Sequence, residues 1–573
     1  MAASHTNICI GNYLLERLKQ LGVTKMFGVP GDFTLGFLDL VEDCQGIDWV
    51  GNCNELNASY AADGYARVKE TSIGVVSTTF GVGELSAMNG IAGAFSEHVP
   101  VLHLVGVPST VQWKAKPMLH HTLGDGRFDA YTKASSHVTI SQAAITNTES
   151  AASEIDRVLT ACITAARPVY LTLPTDMVYL KISAEPLKTP IKPIWPQNNV
   201  ETEKFVLDDI MKLIAGAGDQ VVILADACAI RHHVRMELGE LIQKTGFPVY
   251  AAPMGKSVVG EDYERYGGIY VGSISHPDVK EKVESAKVVI SVGAIKSDFN
   301  TANFTYNIPE MKYIELHSQY AKVQYAHFEG IGMKDLLPKL TASIVALNSP
   351  SKNAPVPKLE AVIPQDASQE VTQEYLWPRV SKFFQSKDVI LTETGTSSFG
   401  MLDVPLPSGA VYLTQILYGS IGWAGGSTLG AAFAAKECGL GRTLLFIGDG
   451  SLQLTGQELS SMIRHGLTPT IFVLNNDGYV IERFLHGPTR KYNDIQPWRW
   501  TSLLNVFGGE EGKTCKSYTV RTRTELSTLL DDPAFAKSDK IQLVEIIMPR
   551  LDAPRSLKAT ADLSSKSNKY APT

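Results

Sequence analysis

The segment TLLFIGDGSLQLTGQELSSMIRHGLTPTIFVLNNDGYVIE (443–482) leaves the chain little choice of fold. TLLFIG (443–448) is an apolar run closed by glycine and reads as a buried strand. Thr455 and Glu458 have the spacing of a capping box, which predicts a helix starting there. Leu459, Met462 and Ile463 give that helix one apolar face, and Gly466 suits its end. TPTIFVL (468–474) is the next strand. Strand, helix, strand is a parallel crossover, so both strands end on one edge of the sheet, where open α/β sheets bind ligands. Asp449 and Asn476 follow the two strand ends and therefore lie side by side. The stretch resembles a phosphate site but lacks a P-loop lysine. A carboxylate, an amide oxygen and a nearby backbone carbonyl are instead hard ligands for Mg²⁺, and the metal can carry a diphosphate. A lone GDG turn ends many strands; its pairing with NNDG across a crossover carries the reading.

The chain has 573 residues, too many for one core, which implies about three or four domains. Its formal net charge of −7 gives no electrostatic case for nucleic acid. No apolar run approaches membrane-spanning length. The first residues, MAASHTNICIGNYLLERLKQLG, carry charges within an apolar pattern and read as an amphipathic helix, not a secretory signal. Seven cysteines (Cys9, Cys44, Cys53, Cys162, Cys228, Cys438, Cys515) are scattered without a CxxC, as expected of reduced thiols in a cytoplasmic protein without structural zinc. Two proline-bearing polar stretches, EPLKTPIKPIWPQNN (185–199) and NSPSKNAPVPK (348–358), read as linkers. They leave blocks at 1–184, 200–345 and 365–555, all of α/β character with mostly parallel sheets expected. In the middle block VVILAD (221–226), VVISVGA (288–294) and KYIELH (312–317) read as buried strands. Residues 556–573 are expected to form a polar tail, mobile or acting as a lid. No short-period repeat is visible, and the sequence does not show whether the first and last blocks share a fold.

The first block holds further candidates. GVPGDFTLGFLDL (28–40) has a Gly-Pro-Gly turn, then Asp32 and an apolar helix. In WVGNCNELNASYAADGYAR (49–67), Glu55 stands where a strand gives way to a helix. A carboxylate there can simply favour the helix dipole, but the position is also one where a ligand sits. MLHHTLGDGRFDAY (118–131) contains His120 and His121. Neighbours on a helix or strand point apart, so joint chelation of one metal is not expected. A turn could aim both rings into one pocket for proton transfer near neutral pH. The plain alternative is a pair of structurally satisfied histidines.

With GDG…NNDG, Asp32, Glu55, His120, His121 and Glu482 together, the chain resembles the thiamin diphosphate-dependent 2-oxo-acid decarboxylases. GNCNELNASYAADGYAR, TTFGVGELSAMNGIAGAFSEHVPVLHLVGVPS, LHHTLG, ADAC, SDFNT, ETGTSSFG, GSIG and IGDGSLQLTGQE resemble the fungal pyruvate decarboxylases over almost the whole length. The resemblance implies pyrimidine-binding, central and diphosphate-binding α/β domains. It also implies homodimers with active sites between subunits, usually paired into tetramers. It assigns Mg²⁺ to Asp449, Asn476 and the Gly478 carbonyl. Contact with thiamin diphosphate falls to Thr394, Gly395, Thr396, Gly419, Gly450 and Ser451, with Ile421 bending the cofactor. Glu55, from the partner subunit, bonds the pyrimidine ring and promotes loss of the thiazolium C2 proton. Glu482 lies near the substrate carboxylate, while Asp32, His120 and His121 relay protons before aldehyde release.

For the substrate, Phe299 and Ile481 match pyruvate-type positions. Val480 and Ser398 depart from the expected threonine and alanine, and Tyr418 from an expected tryptophan. These swaps are small, so the resemblance implies tuned side-chain tolerance rather than a new substrate class. Cys228 and His98 match residues linked to substrate activation in yeast relatives, which implies sigmoidal pyruvate kinetics, although Ala229 stands where a second cysteine often occurs. The leading expectation is cytoplasmic, non-oxidative decarboxylation of pyruvate to acetaldehyde in alcoholic fermentation. The alternatives are a broader decarboxylase of phenylpyruvate, indolepyruvate or branched-chain 2-oxo acids, and a non-catalytic cofactor-binding regulator or filament protein. A nicotinamide dehydrogenase is disfavoured because no GxGxxG follows a first strand.

Overall fold

The computed structural model describes residues 7–348 and 350–568. They divide into two compact units. The first runs to Ile194 and also takes in Gly422–Gly439 and Thr455–Leu467; the second holds Trp195–Ile421, Leu440–Leu454 and the chain from Thr468 onward.

The first unit opens with β1 (Asn7–Cys9) and continues through β2 (Lys25–Gly28), β3 (Asp48–Gly51), β4 (Gly74–Thr79), β5 (Val101–Val107), β6 (Gln142–Ala144) and β7 (Val169–Pro174). β8 (Lys181–Ser183) returns to pair antiparallel with β1. Strands β2 to β7 form one parallel sheet in the order β3-β2-β4-β5-β7-β6. β4, β5 and β7 are buried at every position, so none shows the alternation of a half-exposed strand; β5 and β7 are mainly apolar, while β4 ends in buried Ser77, Thr78 and Thr79. Helix Glu55–Val68 is buried from Asn57 onward. Its small residues allow close approach by helix Trp423–Glu437 of the same unit: a Cβ at Gly430 would lie 1.8 Å from the Ala61 carbonyl oxygen.

The second unit contains two sheets. β9 (Val221–Ala225), β10 (Val249–Ala251), β11 (Tyr266–Ile269), β12 (Val288–Val292), β13 (Tyr313–Leu316), β14 (Tyr320–Val323) and β15 (Ala326–Glu329) form a mixed sheet ordered β11-β10-β9-β12-β13-β14-β15, antiparallel only through β14 and β15. β16 (Val389–Thr392), β17 (Val411–Leu413), β18 (Thr443–Gly448), β19 (Thr470–Asn475), β20 (Cys515–Val520) and β21 (Ile541–Ile547) form a parallel sheet ordered β17-β16-β18-β19-β21-β20. Counted by appearance, its order repeats that of the first unit's sheet: second, first, third, fourth, sixth, fifth. In each, the crossover direction reverses beside the first strand, which opens a crevice at the carboxyl ends.

Three expectations are corrected. The helix after β18 begins at Asp449, breaks after Thr455 and resumes at Glu458–Arg464. The capping box does not form, because both side chains serve other partners. Thr455 Oγ1 donates to the Gly422 carbonyl at 2.8 Å, and Glu458 accepts from Asn52 Nδ2 at 2.8 Å. The expected polar tail is helix Arg555–Asn568. Leu557 and Ala561, four residues apart, bury its sparse apolar stripe, and Ser556 Oγ donates to the Phe399 carbonyl at 2.9 Å. Residues 569–573 of that tail, residues 1–6 of the expected first helix and Ser349 of the second linker lie outside the described residues. Of the expected first helix, Ile10–Gln20 is helical, but Asn7–Cys9 is strand β1, held by its pairing with β8. Among the described residues no helix is long and apolar enough to cross a membrane.

Candidate active site

In the second unit, the loops after β16, β18 and β19 converge on one cleft. Thr394, Gly395 and Thr396 line it from the first loop, Asp449, Gly450 and Ser451 from the second, and Asn476 and Gly478 from the third. Ile421, Val480, Ile481 and Glu482 complete the wall, and Gly419 stands two residues before Ile421 with φ +60°. Asp449 and Asn476 are only 2% and 4% exposed. Asp449 Oδ1 accepts from the Gly450 N–H at 2.8 Å and Oδ2 from the Gly478 N–H at 3.1 Å. Burial pushes its carboxyl up to about 6, against the pull of those N–H groups.

The arrangement fits a hard cation. The side-chain oxygen of Asn476 lies 2.9 Å from the Gly478 carbonyl oxygen and 3.3 Å from Asp449 Oδ1. Three oxygens facing one another repel. In the bare chain, turning the amide over would make two hydrogen bonds; a cation at the centre satisfies the oxygens as they stand. Gly478 can present its carbonyl there because its φ is +119°, and a Cβ would collide with the Asn493 carbonyl oxygen at 2.3 Å. Arg483, which the sequence reading passed over, braces this turn. It is 2% exposed, and its Nη2 donates to the Asp477 carbonyl at 2.6 Å and pairs with Asp494 at 2.9 Å. Tyr479 was also passed over. It lines the cleft so closely that a Cβ at Gly450 would meet its ring at 2.6 Å. Its only sequence signal was its place inside NNDGYVIE.

Glu482 sits in the first turn of helix Val480–Leu485. Its Oε2 is buried with no hydrogen-bond partner among the described residues, and burial pushes its carboxyl above the usual range. Phe299 and Ser398 line a neighbouring small cavity with Pro253, Phe399 and Thr394. Thr394 borders both spaces. The four expected pocket residues therefore divide: Phe299 and Ser398 on one side of Thr394, Val480 and Ile481 in the cleft with Glu482. The Phe299 ring meets Phe399 edge-on, 5.9 Å between centroids, and the Ser398 hydroxyl donates to the Gly395 carbonyl at 3.1 Å. Cys228, also in the second unit, is fully buried.

In the first unit Asp32, His120 and His121 come together. His120 Nε2 lies 2.6 Å from Asp32 Oδ2, and the His120 ring stacks on Phe33. His121 has φ +65°, so this turn brings two adjacent rings to 4.6 Å between centroids, a geometry that neither helix nor strand allows. The turn is held by Tyr131, whose hydroxyl donates to the His121 carbonyl at 2.7 Å. Glu55 is the first residue of its helix, behind Asn54, whose side chain caps it by accepting from the Asn57 N–H at 2.8 Å. The Glu55 carboxyl is half-buried and its pKa raised by that burial. Gly83 lies against it: a Cβ there would stand 3.0 Å from Glu55 Oε1. His98 has φ +56°, and its Nε2 lies 2.6 Å from Arg167 Nη2.

Residues 9–130 match the N-terminal TPP-binding domain of thiamine pyrophosphate enzymes, residues 207–334 their central domain, and residues 394–546 their C-terminal TPP-binding domain. A pyruvate decarboxylase of Kluyveromyces marxianus is 48% identical over 569 residues, covering 98% of this chain and 99% of that protein. Pyruvate decarboxylase isozyme 1 of Saccharomyces cerevisiae is 47% identical over 567 residues, with 98% and 99% covered. A pyruvate decarboxylase of Aspergillus fumigatus is 46% identical over 564 residues, with 98% and 97% covered.

Proposed function

This chain belongs to the thiamin pyrophosphate enzymes and, within them, to the pyruvate decarboxylase family, and from that premise we propose that it converts pyruvate to acetaldehyde and carbon dioxide. The observation that carries the reading is the cluster of Asp449, Asn476 and Gly478 oxygens in the same cleft as a buried carboxylate, Glu482. The three oxygens would hold Mg²⁺, and Thr394, Gly395, Thr396, Gly419, Gly450 and Ser451 would bind the rest of the cofactor. Ile421 would press on it from the cleft wall. Thiamin diphosphate, when bound, supplies the carbon nucleophile and electron sink that decarboxylation needs.

The chain's own residues would do the remaining work. Glu55 would accept a hydrogen bond on the pyrimidine side of the cofactor. The raised pKa of Glu482 fits a group that faces a substrate carboxylate in a water-poor cleft, where its loss as neutral carbon dioxide is favoured. Asp32, His120 and His121 would hold and deliver protons at the product carbon before aldehyde leaves. Phe299 and Ile481 support pyruvate over bulkier acids. We further propose a cytoplasmic homodimer, paired into a tetramer, with each active site completed by the partner subunit, and a role in alcoholic fermentation.

The test is release of carbon dioxide and aldehyde by the full chain with thiamin diphosphate and Mg²⁺. Pyruvate, 2-oxoisovalerate and phenylpyruvate are compared over a concentration series, with Glu482→Gln as control. Highest kcat/KM on pyruvate, lost in the control, is expected. Preference for phenylpyruvate would favour the broader decarboxylase, with Val480 and Ser398 outweighing Phe299. Bound cofactor with no turnover of any acid would overturn the assignment.

A further inference from the structure

ADAC (225–228) and SDFNT (297–301) carry part of the family resemblance but line no part of the diphosphate cleft. The structure ties them to each other. Asp226, just after β9, is 3% exposed, and Asn300 is 1% exposed. Asp226 Oδ1 accepts from the Ala227 N–H at 2.7 Å. Its Oδ2 accepts from the Ile295 N–H at 2.8 Å and from Asn300 Nδ2 at 2.9 Å. Asn300 Nδ2 also donates to the Ile295 carbonyl at 2.6 Å, while its Oδ1 accepts from the Met254 N–H at 2.9 Å. The Asn300 N–H donates to Ser297 Oγ at 3.1 Å.

The neighbours of these atoms matter. Phe299 precedes Asn300 and Pro253 precedes Met254, and both Phe299 and Pro253 line the small cavity beside Ser398 and Phe399. One buried amide therefore fixes the backbone behind two of the cavity's walls, and one buried carboxylate fixes the amide. We propose that Asp226 and Asn300 are positioning residues that set the width of the substrate cavity through Phe299 and Pro253, and so determine the preference for a short 2-oxo acid. The inference rests on the decarboxylase reading above. Three N–H groups converge on the buried Asp226 carboxyl, whose pKa burial pushes up to about 7 against their pull, and breaking one of these bonds strands a buried polar group. A pocket rejects an extra methylene only as far as its wall holds still. A loosened Phe299 admits longer side chains.

The experiment measures kcat/KM for pyruvate, 2-oxoisovalerate and phenylpyruvate in cofactor-saturated, full-length protein. The variants are Asn300→Ser, the milder Ser297→Ala, and Phe299→Ala as a benchmark for an open wall. Cofactor retention and melting temperature are followed alongside. In Asn300→Ser the preference for pyruvate over 2-oxoisovalerate is expected to fall roughly tenfold, mostly through KM. Ser297→Ala should shift it less, in the direction set by Phe299→Ala, with cofactor retention unchanged. A role in stability alone would lower all three substrates alike; that result, or an unchanged ratio in folded variants, overturns the proposal. If Asn300→Ser does not fold, Ser297→Ala decides: an unmoved ratio there sinks it. A wild-type protein that turns over none of the acids fails a different test, the decarboxylase reading itself, and removes the inference with it.

Discussion

On the proposed reading, Glu55 is a residue at which binding and chemistry can be separated. Glutamine has its size and can occupy the first position of the same capped helix, but it cannot carry the charge. Glu55→Gln is expected to slow exchange of the cofactor's C2 proton by about a hundredfold or more while retaining most cofactor. Proton exchange followed by NMR on the loaded protein checks it; a normal rate would remove Glu55 from the activating step. Asp449→Ala removes the only charge among three clustered oxygens. Mg²⁺-dependent retention of thiamin diphosphate should weaken at least about tenfold, or ~1.4 kcal/mol, in equilibrium dialysis. At this scale the meeting of Asp449 with Asn476 was legible because both follow strand ends at a crossover spacing. The meeting of His120 with His121 was legible only as one of two readings, since nothing in HHTLG signals a left-handed φ. Arg483 was not legible: an arginine beside Glu482 reads as solvent-facing until the turn it braces is known.

Between elements, the contact of helices Glu55–Val68 and Trp423–Glu437 rests on absent side chains. A Cβ at Gly430 would stand 1.8 Å from backbone oxygen, which cannot move aside as a flexible side chain can. Gly430→Ala should cost about 1–3 kcal/mol or more and lower the melting temperature. Gly216→Ala, in a helix with nothing within 4 Å of its Cβ, should be neutral or mildly stabilising. Equal effects would deny the packing role. Glu84 belongs to the same scale. It is fully buried, accepts from the Tyr170 hydroxyl at 2.7 Å and from the Gly81 N–H at 2.8 Å, and so caps helix Val82–Ser96, whose N-cap Gly81 packs against the His121 carbonyl. Burial raises its pKa from 4.5 to about 7, with the two hydrogen bonds opposing. A raised carboxyl pKa favours the folded state below the unfolded value, and that contribution is lost as pH rises through the folded one. The window is therefore about pH 4.5 to 7, with a loss on the order of 3 kcal/mol. Glu84→Gln should flatten this part of the stability-versus-pH curve in denaturant melts. An unaltered slope would mean that other groups set it. Strand positions were legible from their apolar runs. The shared order of the two parallel sheets was not, because order is fixed by which strands pair, and two unrelated sets of apolar residues can pair alike. The capping-box spacing misled because Thr455 and Glu458 bond to Gly422 and Asn52, partners no local pattern contains.

For the whole molecule, cofactor binding and assembly are linked through mass action. A ligand that binds only the folded chain stabilises it by RT ln(1 + [L]/Kd), about 2.7 kcal/mol at a hundredfold excess over Kd. If each site is completed by the partner subunit, the assembled state is the one that binds, so cofactor and subunit concentration must reinforce each other. Melting of the full chain should move upward with thiamin diphosphate and Mg²⁺ together, less with either alone, and back with a chelator. The gain should also shrink on dilution, and sedimentation should show the dimer or tetramer persisting to lower concentration with cofactor than without. Asp449→Ala should lose the gain, read against the variant's own baseline, which itself falls because the Gly450 and Gly478 N–H groups lose their acceptor. A gain independent of protein concentration, with sedimentation unchanged, would mean that one chain builds the whole site alone. Glu55 and the Asp32–His120–His121 group would then have to serve the cofactor held by their own chain.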